Sequence, residues 1–331
     1  MLDVVSGAGP IAAAMRRLRR RLAGIPVRGV SISWHGGGAV HGDIVWLRDE
    51  RLWWRHDPSP ATGRHSLMFG YAPSQPTHSE SATCEINLPV SGADRRLAAA
   101  LVRDAGGGLY LAHSGKIGGS RSGRRRQAFR AFLAGGNWQA ARWPDGRDSE
   151  LLLIAPLEGP RLARQVGRFV QAVHDYKRQG VDGTGPMPAS LVAATEAAAG
   201  PDSANGPPAD PASLAALCDR GLVLDALGEE LARRGLIGDA AGGESLFAAR
   251  GGAARVIELE TAIATGALER TVGRLLMRSA AACDMPRAIL VVPEAPALAA
   301  LAALSRHGVM LVRYRWRGAR PVFAGLDAAL G

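Results

Sequence analysis

Apolar and polar residues alternate over residues 27–54: Val30, Ile32 and Trp34, then Ile44 and Trp46, then Leu52 and Trp54 fall on every second position. A period of two puts one set of side chains on one face of an extended chain. This stretch therefore predicts strands, with His35, Gly36, Gly37 and Gly38 as a loop between two of them. Residues 58–78 are rich in Pro, Ser and His and predict a long loop. Short strands are expected over 84–88, closed by Pro89, and over 108–113, with a buried strand over 151–155. Helices are expected over 124–133 and 161–177. In the second, Leu162, Val166, Phe169, Val170 and Val173 recur at helical spacing and form one apolar face.

The pattern then breaks. Residues 180–211 are Gly, Pro, Ser, Ala and Asp with almost no bulky apolar side chains, and read as a linker with a short helix near 191–199. Beyond it the expected order is helix, strand, strand, helix, strand, helix, strand. Ser213 caps a helix to Arg234. Strands over 245–249 and 255–260 flank a turn at Gly251 and Gly252. A helix over 266–282, an all-apolar strand over 288–292, a helix over 295–306 and a strand over 309–316 complete the series. Strands alternating with helices imply a sheet covered on its faces. The organisation is thus an N-terminal α+β domain (1–180), a linker (181–212) and an α/β domain (213–331).

Composition sharpens this. The chain has 331 residues, enough for two cores, and 47% are hydrophobic. Four of its seven Trp lie between Trp34 and Trp54, which predicts a compact aromatic core there. The formal net charge of +10 is carried almost wholly by Arg, since Lys116 and Lys177 are the only lysines. An excess of that sign favours a polyanionic partner. Nucleic acid fits better than membrane, because no run of about 18 apolar residues is present. Cys84, Cys218 and Cys283 are far apart and show no zinc spacing, so reduced thiols in a cytoplasmic protein are expected. Arg16, Arg17, Arg19, Arg20 and Arg21 follow a short Ala-rich run. A signal peptide has the reverse order, and a short basic helix is the simpler reading.

Two constellations carry candidate chemistry. Glu258 and Glu260 end an apolar strand, and period two points both carboxylates the same way. Like charges held that close call for a cation or for protonation of one of them. A divalent metal is one solution and would activate water against a phosphodiester. Pairing with Arg at a solvated strand end is the other.

The region 213–330 resembles the PD-(D/E)xK superfamily of restriction and repair nucleases. The match runs through the leading helix with Glu229 and Glu230, the hairpin from Glu244 and Ser245 to Ile257, Glu258, Leu259 and Glu260, and the helix with Thr271 and Arg274. It continues in the strand Ile289 to Val292 and in the ending Tyr314, Arg315, Trp316, Pro321, Val322, Phe323. The resemblance implies a restriction-endonuclease-like mixed sheet flanked by helices. It also implies a catalytic set of Glu258, Glu260 and Glu244, with Glu258, Glu260 and Glu229 as Mg²⁺ ligands if the domain is active. Three positions depart from the family pattern. Ser245 stands where a metal-binding Asp is usual, Glu260 where Lys is usual, and Arg274 where Gln is often seen. A degenerate, binding-only domain that takes no cofactor is therefore the leading expectation, with an active Mg²⁺-dependent endonuclease as the alternative.

The second constellation is the run from Tyr110 to Arg126. It carries five positive charges (Lys116, Arg121, Arg124, Arg125, Arg126) and four glycines, and no Asp or Glu falls between Asp104 and Asp145. Glycines let backbone N–H groups approach phosphate, and Arg and Lys supply counter-charge. Neither phosphate-loop motif is present, so nucleic-acid backbone fits better than a nucleotide triphosphate. His113, Lys116, Arg121, Arg124, Arg125 and Arg126 are the candidate contacts, with DNA ahead of RNA. The stretch from Thr83 to Pro89 and on through this loop resembles a module of uncharacterised bacterial defence-associated proteins. That resemblance adds Glu85 and Asn87 to His113 and Lys116 as a cluster. The expected function is nucleic-acid binding in prokaryotic defence or DNA processing. A non-catalytic interaction subunit, docking a protein partner or a second copy through its Ala-rich helices, is the further alternative.

Overall fold

The computed structural model describes residues 1–34, 38–59, 62–117, 124–133, 136–178, 211–241, 245–250, 253–262, 265–281, 286–293, 304 and 306–331. They form two compact units, each described by itself. The class is mixed α/β in both. Of the sequence expectations, Glu244, Arg121, the turn at Gly251 and Gly252, nearly all of the linker and most of the helix over 295–306 lie outside the described residues.

In the first unit, β2 (Ile25–Ser33), β3 (Ala39–Leu47), β4 (Leu52–Ser59) and β5 (Arg64–Tyr71) form an antiparallel meander. The short strands β6 (Ser79–Ser81), β7 (Cys84–Glu85) and β8 (Leu88–Pro89) are added to β2 and β5. The expected loop over 58–78 therefore contains the whole of β5 and the end of β4. Pro58 is tolerated because β3 pairs with β4 only over Leu52 to Trp54, so no neighbour needs the N–H that Pro lacks. Alternation also divides the tryptophans. Trp46 and Trp53 are cross-strand partners packed with Val30, Ile32 and Met68 on one face. Trp54 packs with Phe69 on the other, and its Nε1 donates to the Leu22 carbonyl at 2.8 Å. Trp34 is exposed. The single aromatic core expected there is two layers, one on each side of the sheet.

Against the Trp54 face lies a closed barrel in the order β1-β11-β12-β10-β9. Its strands are β1 (Leu2–Val4), β9 (Ala99–Arg103), β10 (Leu109–His113), β11 (Trp138–Arg142) and β12 (Asp148–Pro156). Closure gives every strand two partners and leaves no edge. Three helices share the core: α1 (Ala8–Arg21), α2 (Arg124–Phe132) and α3 (Leu162–Arg178). Phe129 of α2 meets Phe169 and Tyr176 of α3 edge-on. Each such buried ring contributes about 2–3 kcal/mol by burial alone.

In the second unit, α4 (Pro211–Arg233) presents Val223, Leu227 and Leu231 every fourth residue. It ends where Gly235 takes φ 70°: Leu236 N donates to the Leu231 carbonyl and Gly235 N to the Ala232 carbonyl, each at 3.0 Å. The sheet order is β13-β14-β15-β16-β17-β18. The strands β13 (Ile237–Ala241), β14 (Ser245–Arg250) and β15 (Ala253–Leu259) form an antiparallel meander. After α5 (Thr265–Ala281) come β16 (Arg287–Pro293) and β17 (Met310–Arg317), both parallel to β15. β18 (Arg320–Ala324) returns antiparallel at the edge, followed by α6 (Leu326–Leu330). α4 and α6 cover the face bearing Ile257, Leu259 and Tyr314, whereas α5 covers the face bearing Val256, Leu290 and Val292. Arg255 holds α6 in place, its Nε donating to the Leu330 carbonyl at 3.2 Å.

Candidate functional site

The paired carboxylates sit at the seam between β15 and α5. Glu258 follows Val256 at period two and so faces α5, where it is 0% exposed. Its Oε1 accepts from Arg278 Nη1 at 2.8 Å, and Arg274 Nε lies 3.7 Å from Oε2. Glu260 is buried one step beyond the strand. Its Oε1 accepts from Ala262 N at 2.9 Å and its Oε2 from Thr271 Oγ1 at 2.7 Å. Arg274 Nη2 donates to the same Thr271 oxygen at 3.0 Å. Thr271, Arg274 and Arg278 fall at helical spacing on the side of α5 that meets the sheet. One helix thus supplies a hydroxyl and two guanidinium groups to both carboxylates. The two Arg side chains are about one-third exposed and keep water on one side.

Both carboxylates face one way, as alternation predicts, but arginine provides their counter-charge. A divalent ion would need carboxylate oxygens free to ligate. Here each of the four oxygens is within hydrogen-bond or ion-pair reach of a protein donor. Displacing Arg278 and Arg274 would leave two cations against the ion. These residues as arranged do not fit Mg²⁺. Glu229, expected as a third ligand, is exposed on α4, which packs on the opposite face of the sheet. The leading helix of this unit therefore cannot bring it to Glu258. Among the described residues no group of three or more His, Cys, Asp or Glu converges to hold a metal. Glu230 is taken up by Arg233 and Arg234. Ser245, at the position of the usual Asp, is the direct cross-strand partner of Glu258.

In the first unit the expected phosphate contacts separate. His113 is 1% exposed, packed against Phe169, and its Nδ1 accepts from Gly115 N at 3.0 Å. Burial pushes its pKa down to about 3, so it is a neutral core imidazole. That corrects the expectation of a phosphate contact. Its place as the last residue of β10, on the inward side, is the reason. Lys116 is exposed and donates to the Arg95 carbonyl at 3.1 Å. Arg126 donates to the Glu150 carbonyl at 2.9 Å, and the Glu150 carboxylate pairs with Arg130. Although no acid lies near in sequence, the barrel brings Glu150 beside α2. Arg124 and Arg125 stand in the first turn of α2. Glu85 and Asn87 bond to each other at 2.7 Å. Among the described residues no hydrogen bond joins them to His113 or Lys116.

A feature the sequence reading missed lies on β17 and β18. Arg313, Arg315 and Arg317 alternate with Val312, Tyr314 and Trp316, and all three arginines are exposed, as is Arg320. The strict Arg-x-Arg-x-Arg spacing was the signal, since on a strand it puts like charges on one face.

These features define a protein of mixed α/β class with two sheet-and-helix units, one of them built around an internally neutralised carboxylate pair. No helix among the described residues is long and apolar enough to cross a membrane. In comparisons with protein-family models, curated proteins and solved structures, nothing matches this chain.

Proposed function

We propose that the protein binds nucleic acid and that its C-terminal domain is a PD-(D/E)xK-like scaffold that has lost metal-dependent cleavage, in the setting of prokaryotic defence or DNA processing. The observation that carries this reading is the partnering of Glu258 and Glu260 by Arg278, Arg274 and Thr271. Arg274 and Glu260, two departures from the family pattern on this face, are linked through Thr271, and Arg274 with Arg278 sets positive charge against Glu258 where an ion would have been held. Further support is the order helix, antiparallel strands, helix, parallel strand along α4 to β16, which is the order on which the resemblance rests. The excess of arginine over acid supports the polyanionic partner.

The test uses the full-length protein with labelled single-stranded and duplex oligonucleotides, in Mg²⁺ or EDTA and across a salt series. Binding that weakens with salt, is indifferent to Mg²⁺ and leaves the oligonucleotide intact is expected. Cleavage abolished by Glu258→Ala would establish an active nuclease and overturn the loss of cleavage. Absence of binding in dilute buffer would remove the nucleic-acid reading altogether. A second reading, the non-catalytic interaction subunit, is favoured by Leu276 and Met277, which project from α5 at 43% and 74% exposure. Association with a protein partner, lost in Met277→Glu while oligonucleotide binding is absent, is its signature.

A further inference from the structure

The positive charge of the chain is not shared between its two halves. Residues 1–178 hold 26 Lys and Arg against 14 Asp and Glu, a net of +12. Residues 179–331 hold 14 against 16, a net of −2. A polyanion is therefore drawn to the first unit. Many basic side chains there are already engaged. Arg126 bonds the Glu150 carbonyl, Arg130 pairs with the Glu150 carboxylate, Arg142 with Asp148 and Arg55 with Asp57. Helix α1 keeps more of its charge. Its five arginines lie in a stretch of sequence with no Asp or Glu between Asp3 and Asp43.

Ile11, Ala14, Met15 and Leu18 turn one side of α1 into the core. At about 3.6 residues per turn, Arg16 and Arg20 fall on the opposite side, one turn apart. Arg19 flanks them on one edge, Arg17 and Arg21 on the other. Glu158 meets that second edge, with Oε1 at 2.9 Å from Arg17 Nη1 and Oε2 at 3.9 Å from Arg21 Nη2. Arg16, Arg19 and Arg20 are exposed, and among the described residues none of the three makes a hydrogen bond or an ion pair. Arg19 stands beside His56, which is a base and supplies no counter-charge. Burial, then His65, then Arg19 hold that imidazole below its ordinary pKa. Basic residues in the last turn also complement the helix dipole. That role accounts for Arg19 to Arg21 but not for Arg16, a turn further in. Arg16 and Arg20 are a like-charge pair at i and i+4, which by itself destabilises a helix. An anion laid across them removes that penalty.

Resting on the nucleic-acid reading above, we propose that the outward face of α1 grips the phosphodiester backbone of nucleic acid through Arg16, Arg19 and Arg20. Arg engages phosphate through its planar fork of donors and keeps its charge at any working pH. The helix carries no aromatic ring to stack on bases, so this face holds backbone and does not read sequence. An anionic membrane surface fits less well. The apolar side of α1 is buried in the core, and none of it is left to enter a bilayer.

The test compares full-length wild type with three triple variants. The first is Arg16→Gln, Arg19→Gln, Arg20→Gln, and the second its Arg→Lys counterpart. The third, Arg313→Gln, Arg317→Gln, Arg320→Gln, removes the same charge from the second unit. Fluorescence anisotropy is read on a labelled oligonucleotide, single-stranded and as a duplex, across a salt series. The α1 Gln variant should bind about tenfold or more weakly in dilute salt. Its slope of log affinity on log salt should be shallower by about 2 on the single strand and about 3 on the duplex, from about 0.7 and 0.9 per phosphate contact. The Lys variant should keep most of the slope, and the second-unit variant most of the affinity. Unaltered affinity and slope in an α1 Gln variant that melts like wild type would overturn the site while leaving nucleic-acid binding intact. An equal loss in the second-unit variant would overturn it too, since net charge and not this face would then govern binding. A wild type that binds neither oligonucleotide would instead defeat the underlying reading. Its flotation with phosphatidylserine vesicles, lost in the α1 Gln variant, would make the face a membrane contact. Should the α1 Gln variant fold poorly, photocrosslinking of wild type to an iododeoxyuridine oligonucleotide decides. Crosslinks in peptides spanning 11–24 support the site, and crosslinks confined to other segments overturn it.

Discussion

Two groups of arginines on one side of one sheet behave in opposite ways. At the α5 seam, Arg274 and Arg278 lean onto buried Glu258 and are part of the interior. On β17, Arg313, Arg315 and Arg317 meet no acidic side chain from their own hairpin and face solvent. The same residue type is buried into the interior where a helix places it over a carboxylate, and exposed where a strand displays it on its outer face. A count of charges cannot separate the two. Removing a partner should separate them, because a buried charge that loses its counter-ion costs far more than an exposed charge that is deleted.

The largest expected effect is that of Glu258→Ala, which leaves two guanidinium groups beside an apolar sheet face with no anion. The loss should be about 3 kcal/mol in urea unfolding, at the lower end for a buried pair because the arginines are part-exposed. A loss below about 1 kcal/mol would mean that the seam is no more structural than the exposed arginines of β17.

Next comes a buried polar group in the first unit, which extends the rule from ion pairs to a lone base. His113 has a folded pKa of about 3 against an ordinary 6.5, so the folded state disfavours the charged form. Its neutral state is fully compatible with folding above pH 6.5. Stability is then lost as pH falls from 6.5 towards 3, at about 1.4 kcal/mol per pH unit, or about 2 kcal/mol by pH 5. His113→Gln should flatten that part of the pH profile of unfolding. An unchanged slope would show that other groups produce it.

Thr271→Val removes the hydroxyl that donates to Glu260 and accepts from Arg274. It should cost about 1.5 kcal/mol, since a buried carboxylate oxygen loses a hydrogen bond. Thr271→Ser, which keeps the hydroxyl, should recover most of it. Smallest of all is Arg313→Ala, expected to change unfolding stability by less than about 0.5 kcal/mol, as for an exposed side chain outside the core. A loss as large as that for Glu258→Ala would mean that exposure does not separate the two groups of arginines.

Much of the second unit was legible in advance. The strands β14 to β17 and helices α4 and α5 fall close to their expected places, because long apolar runs and amphipathic helices carry strong periodic signals. Strands β1, β6, β9, β11, β13 and β18 were missed. They are short, and β9 (Ala-Ala-Leu-Val-Arg) is buried at four consecutive positions, so it shows no alternation to detect. β5 begins with Arg64, His65 and Ser66 and reads as loop until β4 is placed beside it. At the candidate site, the shared direction of Glu258 and Glu260 was readable, but their partners were not.

What the sequence determined by itself is local. Alternation turned Glu258 and Glu260 the same way and lined up Arg313, Arg315 and Arg317, because backbone geometry sets which face a side chain takes. Which element covers that face was decided only by tertiary structure. The sheet put α5 over the carboxylates and α4 with Glu229 on the other side. The barrel likewise joined β1 to β9 and β11 across most of the first unit, and buried His113 at its end. Periodicity fixes direction, but the long-range packing that chooses the neighbour depends on the whole core at once, and in this protein the neighbour separates an arginine that neutralises a buried carboxylate from one that faces solvent.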